Sequence, residues 1–207
     1  MRHGRTDGSF NVAERLSAGA SLSGGEHNHL FLNDRGRAFV ELSGVSGADS
    51  RGDGRSFALL DFDADGWQDM AVVNANAPLL QLFRNRMGER TNGRMLAVRL
   101  VGGNSTTQPT NEWSARDGYG ALVSLDLDPG QIVREHRAGA GFSAQNSPII
   151  RIGLGERNQV TVLRVLWPSG KIQSAGEVAA GSLVTVYENP QQSPTGDAFV
   201  IAPYVRE

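Results

Sequence analysis

Short runs of apolar and β-branched residues alternate along the chain with clusters of Gly, Asn, Asp and Pro. Helical periodicity is almost absent, and this pattern is typical of an all-β protein. It predicts ten strands, at residues 29–33, 57–62, 70–74, 79–84, 95–101, 121–127, 132–136, 149–154, 161–167 and 183–188.

A shift in composition near residues 85–93 indicates a boundary between two domains, which we place at 26–90 and 94–188. Residues 1–25 are polar and rich in Gly, Ser and Arg, and we expect a flexible N-terminal arm there. Residues 189–207 form a C-terminal tail that begins like a linker and then becomes apolar. Because a free tail rarely carries so much apolar surface, it either packs on its own domain or docks on a partner.

An acidic loop between two predicted strands carries the strongest chemical signal. Residues 61–69 read D-x-D-x-D-G-x-x-D, which places carboxylates at alternate positions and a glycine where the chain must turn sharply. Hard divalent cations prefer oxygen ligands, and without a cation these carboxylates would repel one another. The predicted ligands are the carboxylates of Asp61, Asp63, Asp65 and Asp69 and the carbonyl oxygen of Trp67.

The loop differs from an EF-hand, because Val72 stands where that motif needs a bidentate Glu and both flanks are predicted strands. Several carboxylates in a flexible loop favour Ca²⁺ over Mg²⁺. A structural calcium ion is the leading interpretation. An acidic surface turn without metal and a catalytic metal are the alternatives, and the second lacks a nearby His or nucleophile in the sequence.

Composition narrows the possible functions. The chain has 207 residues, with 20 basic and 22 acidic residues, so nothing in its charge favours nucleic-acid binding. It has no cysteine, which excludes disulfides and thiolate zinc sites. No apolar run is long enough to be a transmembrane segment, and no secretory signal peptide is visible in this chain.

Two stretches resemble known families. Residues 28–34, Gly36, Phe39, residues 54–66, Asp69 and residues 82–85 resemble an FG-GAP/VCBS-type repeat, in which the acidic loop binds Ca²⁺ and each repeat forms a blade-like β unit. Residues 96–100, 114–121, 139–145, 152–155 and 165–173 resemble the ASPIC/UnbV domain. In that domain we expect Asp117-Gly118 to form a turn with positive φ, and Trp167 to fill the core.

The resemblance implies an all-β chain in which one propeller-blade-like, calcium-binding β unit precedes a β-sandwich-like ASPIC/UnbV domain. This is the order found at the C-terminal end of cartilage-acidic-protein-like and bacterial repeat proteins. A closed propeller needs four to eight blades, so a single repeat must lean on the second domain, on a partner or on further blades. The family implies an extracytoplasmic (periplasmic or secreted) location and a binding or scaffolding role.

We therefore predict a non-enzymatic, calcium-binding scaffold protein with a protein partner and no nucleic-acid partner. In a more specific version, it is an accessory structural subunit on the extracytoplasmic face of a larger complex, and it meets a membrane only through its partner. The alternative is a carbohydrate or matrix-glycan binding module that uses Trp113 or Tyr119. An enzyme would need an open metal position and a base beside the acidic loop.

Overall fold

A computed structural model describes residues 11–204, and this part of the chain is built mainly from β-strands. Two short helices, α1 (Val12–Ser17) and α2 (Ser43–Ser46), and two 3₁₀ turns (Met87–Glu89 and Pro190–Gln192) accompany the strands. The strands are β1 (Phe31–Asp34), β2 (Ala38–Glu41), β3 (Gly54–Leu60), β4 (Asp69–Asn74), β5 (Leu80–Phe83), β6 (Arg94–Val101), β7 (Leu122–Asp126), β8 (Gln131–Glu135), β9 (Ile149–Gly155), β10 (Gln159–Val160), β11 (Val162–Leu166), β12 (Ile172–Ala175), β13 (Val178–Ala179), β14 (Ser182–Tyr187) and β15 (Phe199–Pro203).

The all-β prediction is confirmed, and each of the ten predicted strands overlaps an observed one. The pattern missed β2, β10, β12, β13 and β15, together with both helices. β10 and β13 have only two residues each, and β12 is rich in polar and small residues, so the apolar signal of these three strands is weak. In the described residues, no helix is long and apolar enough to cross a membrane.

The chain divides into two compact units, each of which is made of two separate stretches of the sequence. The first unit comprises Met1–Phe57 and Ala71–Phe83, and the second comprises Ala58–Met70 and Arg84–Glu207. The second unit therefore includes the acidic loop. The domain boundaries predicted at 26–90 and 94–188 remain a prediction.

Within the described part of the first unit, β1 and β2 form an antiparallel hairpin. The buried carboxylate of Asp53 accepts hydrogen bonds from the hydroxyl groups of Ser21 and Ser23 and from the backbone N–H of Leu22. These bonds hold the pKa of Asp53 well below its usual range, with the Ser21 hydroxyl as the largest cause. They also anchor residues 21–23 of the predicted arm 1–25, whose residues 1–10 lie outside the described part.

The second unit contains a β-sandwich, as predicted. One sheet has the strand order β12-β11-β7-β8, and the other has the order β15-β14-β6-β9. Buried and more exposed residues alternate along β7, β11 and β14, so each strand turns its apolar side chains toward a shared core. That core includes Leu96, Val123, Leu163 and Val184, all fully buried.

The apolar C-terminal tail packs on its own domain. Strand β15 pairs antiparallel with β14, which in turn pairs parallel with β6. The side chain of Phe199 packs against the core of the sandwich. Between the two outcomes that the sequence left open, the described residues thus show packing within the chain.

The predicted turn at Asp117-Gly118 and the buried Trp167 are confirmed. Gly118 has a φ of 66°, and a Cβ there would lie 2.9 Å from the Cβ of Leu100 and 3.1 Å from the ring of Trp167. Trp167 is 1% exposed, and its indole N–H donates to Gln173 over 2.8 Å. Glycine is required here both by its backbone conformation and by the close approach of the core.

A buried carboxylate ties the end of β14 to two loops, the one after β6 and the one after β11. Glu188 is 1% exposed, and its Oε2 accepts the backbone N–H groups of Gly103 (2.9 Å) and Ser114 (2.7 Å). Its Oε1 accepts the hydroxyl groups of Ser114 (2.9 Å) and Ser169 (2.5 Å). None of these four donors is a charged group, so neutral hydrogen bonds compensate the loss of hydration.

Candidate metal centre

The acidic loop lies between β3 and β4, and its own backbone shapes it. Ala64 and Gly66 both have positive φ, at 55° and 90°, which reverses the chain within a few residues. The carboxylate of Asp61 accepts the backbone N–H groups of Asp65 (3.1 Å) and Gly66 (2.9 Å). Asp61 therefore closes the loop through hydrogen bonds within the protein.

Asp61 also belongs to a buried polar triad. Its side chain is fully buried, and its Oδ2 accepts the hydroxyl group of Tyr204 over 2.7 Å. The same hydroxyl oxygen accepts Nε (3.1 Å) and Nη2 (2.7 Å) of Arg151. Arg151 Nε lies 3.4 Å from Asp61 Oδ2 as well, so a guanidinium group balances this carboxylate. Burial is the main reason that the pKa of Tyr204 is raised.

Asp63 and Asp65 share a second guanidinium group. Nε of Arg84 lies 2.6 Å from Asp63 Oδ2, and its Nη2 lies 3.4 Å from Asp65 Oδ2. Asp65 Oδ1 accepts the backbone N–H of Trp67 over 2.8 Å. The other oxygen of Asp63, Oδ1, is buried and has no hydrogen-bond partner in the described structure. A buried carboxylate oxygen without a partner is costly, so this atom marks a place where a cation would be stabilising.

Three of the five predicted ligands converge. Carboxylate oxygens of Asp61, Asp63 and Asp65 all lie within 4.8 Å of one another. Ligands of one calcium ion at about 2.3–2.6 Å are separated by at most about 5 Å, so this spacing suits a single Ca²⁺. The donor set also fits, because Ca²⁺ takes carboxylate and carbonyl oxygens in flexible geometry.

The remaining predicted ligands have other contacts. Asp69 is 1% exposed, and its oxygens accept the backbone N–H groups of Phe62 (3.1 Å) and Asn85 (2.7 Å). It therefore ties the start of the loop to the segment after β5. The indole of Trp67 lies against Gly88, where a Cβ would come within 2.5 Å of its Nε1. Asp69 does not belong to the convergent group formed by the other three carboxylates, and the Trp67 carbonyl oxygen remains a predicted ligand.

Sequence reasoning missed the basic and phenolic groups of the site. Arg84 is the last residue of the predicted strand 79–84, and its closeness in sequence to the loop could have suggested a counter-charge. Arg151 and Tyr204 are 90 and 143 positions from Asp61, and no local pattern connects them. Only the pairing of β9 and β15 with their neighbours in one sheet brings them to the loop.

Both aromatic residues proposed for glycan binding make contacts within the chain. The Lys171 ammonium lies 3.8 Å from the ring centroid of Trp113, and the same ring packs on Gly103. Tyr119 stacks on His136, with ring centroids 4.7 Å apart. Burial lowers the pKa of His136, whose Nε2 lies 3.0 Å from the Asp117 carbonyl oxygen.

Part of the second unit is similar to a known protein family. Residues 111–193 match the family model of ASPIC and UnbV. This range contains the turn at Asp117-Gly118, the buried Trp167 and the Glu188 carboxylate. The FG-GAP/VCBS-type resemblance of the earlier residues is still a prediction.

Curated relatives extend the similarity beyond that range. The chain is 27% identical over 181 residues to cartilage acidic protein 1 of Homo sapiens. These residues are 86% of this chain and 25% of that protein. The chain is 26% identical over 150 residues to cartilage acidic protein 1 of Xenopus tropicalis, covering 72% of this chain and 21% of that protein. The chain thus spans about a quarter of the length of these relatives. An alignment over 86% of the chain must also include residues before 111, so the similarity is not confined to the ASPIC and UnbV range.

Proposed function

We propose that this chain is a non-enzymatic, calcium-stabilised interaction module that acts outside the cytoplasm. One observation supports the calcium proposal most strongly. Oxygens of Asp61, Asp63 and Asp65 lie within 4.8 Å of one another, and Asp63 Oδ1 is buried without a partner. Bound Ca²⁺ would be held by these carboxylates and would supply charge neutralisation.

In this proposal the ion orders the loop rather than performing chemistry. Asp61 is held by the loop backbone, Tyr204 and Arg151, and Asp69 by two backbone N–H groups. Fixed carboxylates reduce the entropic cost of capturing an ion. Calcium binding would hold the loop against the sheet that contains Arg151 and Tyr204. Because the ion would bind the folded state, it would stabilise the second unit by mass action.

The interaction role rests on the relatives and on the single predicted repeat. The name cartilage acidic protein connects those relatives with cartilage, which supports an extracytoplasmic location for this chain. One blade-like unit leaves sheet edges that a partner or further blades would cover. An accessory structural subunit of a larger, membrane-associated complex is the specific form of the proposal.

Thermal unfolding of the chain in EGTA, Ca²⁺ and Mg²⁺ tests the calcium part. We expect the melting temperature to rise in Ca²⁺ and to rise less in Mg²⁺. Co-purification from the native source, with and without EGTA, tests the interaction part. Recovery of the chain as a free monomer in both conditions would contradict the scaffold role and leave the calcium result unaffected.

A further inference from the structure

A cleft of about 780 Å³ lies beside the acidic loop, within the second unit. Its walls come from Gly66–Gln68 of the loop, from the segment after β5 and from one end of the sheet β15-β14-β6-β9. The volume falls within the range of small-molecule sites. Of its residues from this sheet, Arg151, Gly153 and Gly155 belong to the edge strand β9, and the others come from β6 and from the segments beside β14 and β15.

The floor of the cleft is open because a strand residue lacks a side chain. Ile152 and Leu154 of β9 point into the core, so Gly153 faces the opposite side, where the cleft lies. Its φ lies outside the left-handed region, and a Cβ built on it would meet nothing within 4 Å. Neither backbone conformation nor packing requires glycine here, although glycine weakens a strand interior. The register of β9 against β6 shifts here, since Arg94 pairs with Gly155 and Met95 with Gly153, and a glycine in a strand marks either such a bulge or a site that a ligand approaches closely.

Two cationic groups in the cleft have unused hydrogen-bonding capacity. Arg94 is exposed, and its side chain makes no hydrogen bond or ion pair to any described residue. Arg151 is buried, with 7% of its side chain exposed, and its Nη1 has no partner among the described residues. The acidic residue of the cleft, Asp65, is already paired with Arg84. Because Arg151 is paired with Asp61, Arg94 is the cation of the cleft that has no ion pair among the described residues, and a planar guanidinium suits a carboxylate.

The other groups of the cleft suit a ligand with hydroxyl groups and ring faces. Trp67 and Tyr204 contribute aromatic surface, while Gln68, Asn85 and Thr91 contribute polar groups that donate and accept hydrogen bonds. An extended peptide that added a strand would pair along the outer edge of β9, whereas the cleft also includes Arg94 of β6, Gly181 before β14 and Tyr204 after β15.

We infer that this cleft binds a carboxylate-bearing oligosaccharide, with Arg94 and Arg151 facing the carboxylate and the sugar rings lying over Gly153. This site is separate from the Trp113 and Tyr119 rings. The inference goes beyond the calcium proposal, because the cleft's floor and cations lie outside the three convergent carboxylates.

Isothermal titration of the chain tests the inference with three probes. They are a hexasaccharide of alternating glucuronate and N-acetylglucosamine, the neutral N-acetylglucosamine hexamer and a hexaglutamate peptide. We expect saturable binding of the first, at least tenfold weaker binding of the second, and weaker binding of the first at high salt. Equal binding of the neutral hexamer, or preference for the peptide, would overturn the saccharide assignment.

Two substitutions locate the site. Gly153→Ile fills the floor with a residue that strands favour, so the fold is retained and the affinity falls at least tenfold. Its control is Gly176→Ile, which also has open space around the added Cβ but does not line the cleft. Arg94→Gln lowers the affinity, whereas Arg99→Gln, on the same strand about 16 Å away, leaves it unchanged.

Unchanged binding in Gly153→Ile, with wild-type melting temperature, would overturn the proposed site. The same titrations in EGTA and in Ca²⁺ separate the two proposals, because Gly153→Ile keeps the calcium-induced rise in melting temperature. If saccharide binding is absent while that rise is present, the cleft assignment fails and the calcium proposal stands.

Discussion

Replacing Glu188 by Gln should destabilise the sandwich far more than any surface substitution. The carboxylate is buried and accepts four hydrogen bonds, two from backbone N–H groups and two from serine hydroxyls. In the variant, the amide oxygen can retain the backbone donors of Gly103 and Ser114. The amide nitrogen then faces the two hydroxyls, which must rotate to accept.

The magnitude follows from the loss of charge in these bonds. Hydrogen bonds to a charged group contribute about 1.5–3 kcal/mol each, and neutral ones about 0.5–1.5 kcal/mol. If each of the four bonds weakens by about 1 kcal/mol, the total loss is about 4 kcal/mol. An amide costs less to bury than a carboxylate, so the net destabilisation is about 2–4 kcal/mol. For a chain of this size, that lowers Tm by roughly 4–16 °C.

Urea unfolding, followed by the fluorescence of the three tryptophans, of which Trp167 is buried in the core, measures this change. Glu156→Gln is the matched control, because Glu156 is exposed and its side chain has no hydrogen-bond partner in the described part of the chain. We expect the control to stay within about 0.5 kcal/mol of the wild type. A Glu188→Gln variant that is equally close to the wild type would refute the role given to this carboxylate.

Three further predictions concern charge. Arg84→Met should lower stability in EGTA and tighten Ca²⁺ binding about tenfold, because it removes the guanidinium group that competes for Asp63; calcium titration measures this. The pKa of Asp53 is lowered, so its contribution to stability is present above the unfolded value of about 4 and is lost as pH falls further. Acid unfolding of Asp53→Asn should therefore show a weaker dependence on pH below about 4. The pKa of His136 is also lowered, so stability should decline as pH falls below about 6.5, and His136→Gln should reduce that decline in urea melts.

Local sequence patterns predicted the strands and the acidic loop, because strand formation and the D-x-D-x-D-G spacing depend on neighbouring residues. The groups around the loop could not be predicted in the same way. Arg151 and Tyr204 reach Asp61 only through the register of β9, β6, β14 and β15. The role of Glu188 was equally hidden, because its donors come from segments up to 85 residues away.

The sequence also predicted more carboxylate ligands than the structure brings together. Asp69 has the spacing of a ligand, yet its two oxygens accept backbone N–H groups that shape the loop. Spacing alone does not distinguish a carboxylate that binds an ion from one that supports the loop around it. The β15 tail shows the same limit, because its apolar composition fitted two outcomes and only strand pairing decided between them.

The most direct test of the calcium proposal is the melting temperature of the wild type and of Asp63→Asn across a Ca²⁺ titration. At a Ca²⁺ concentration of 100 times Kd, the wild type should gain about 2.7 kcal/mol, or roughly 5–11 °C. Asp63→Asn should gain little, whereas Asp197→Asn, an exposed control, should behave like the wild type. A wild-type melting temperature that does not change between EGTA and millimolar Ca²⁺ would contradict the account.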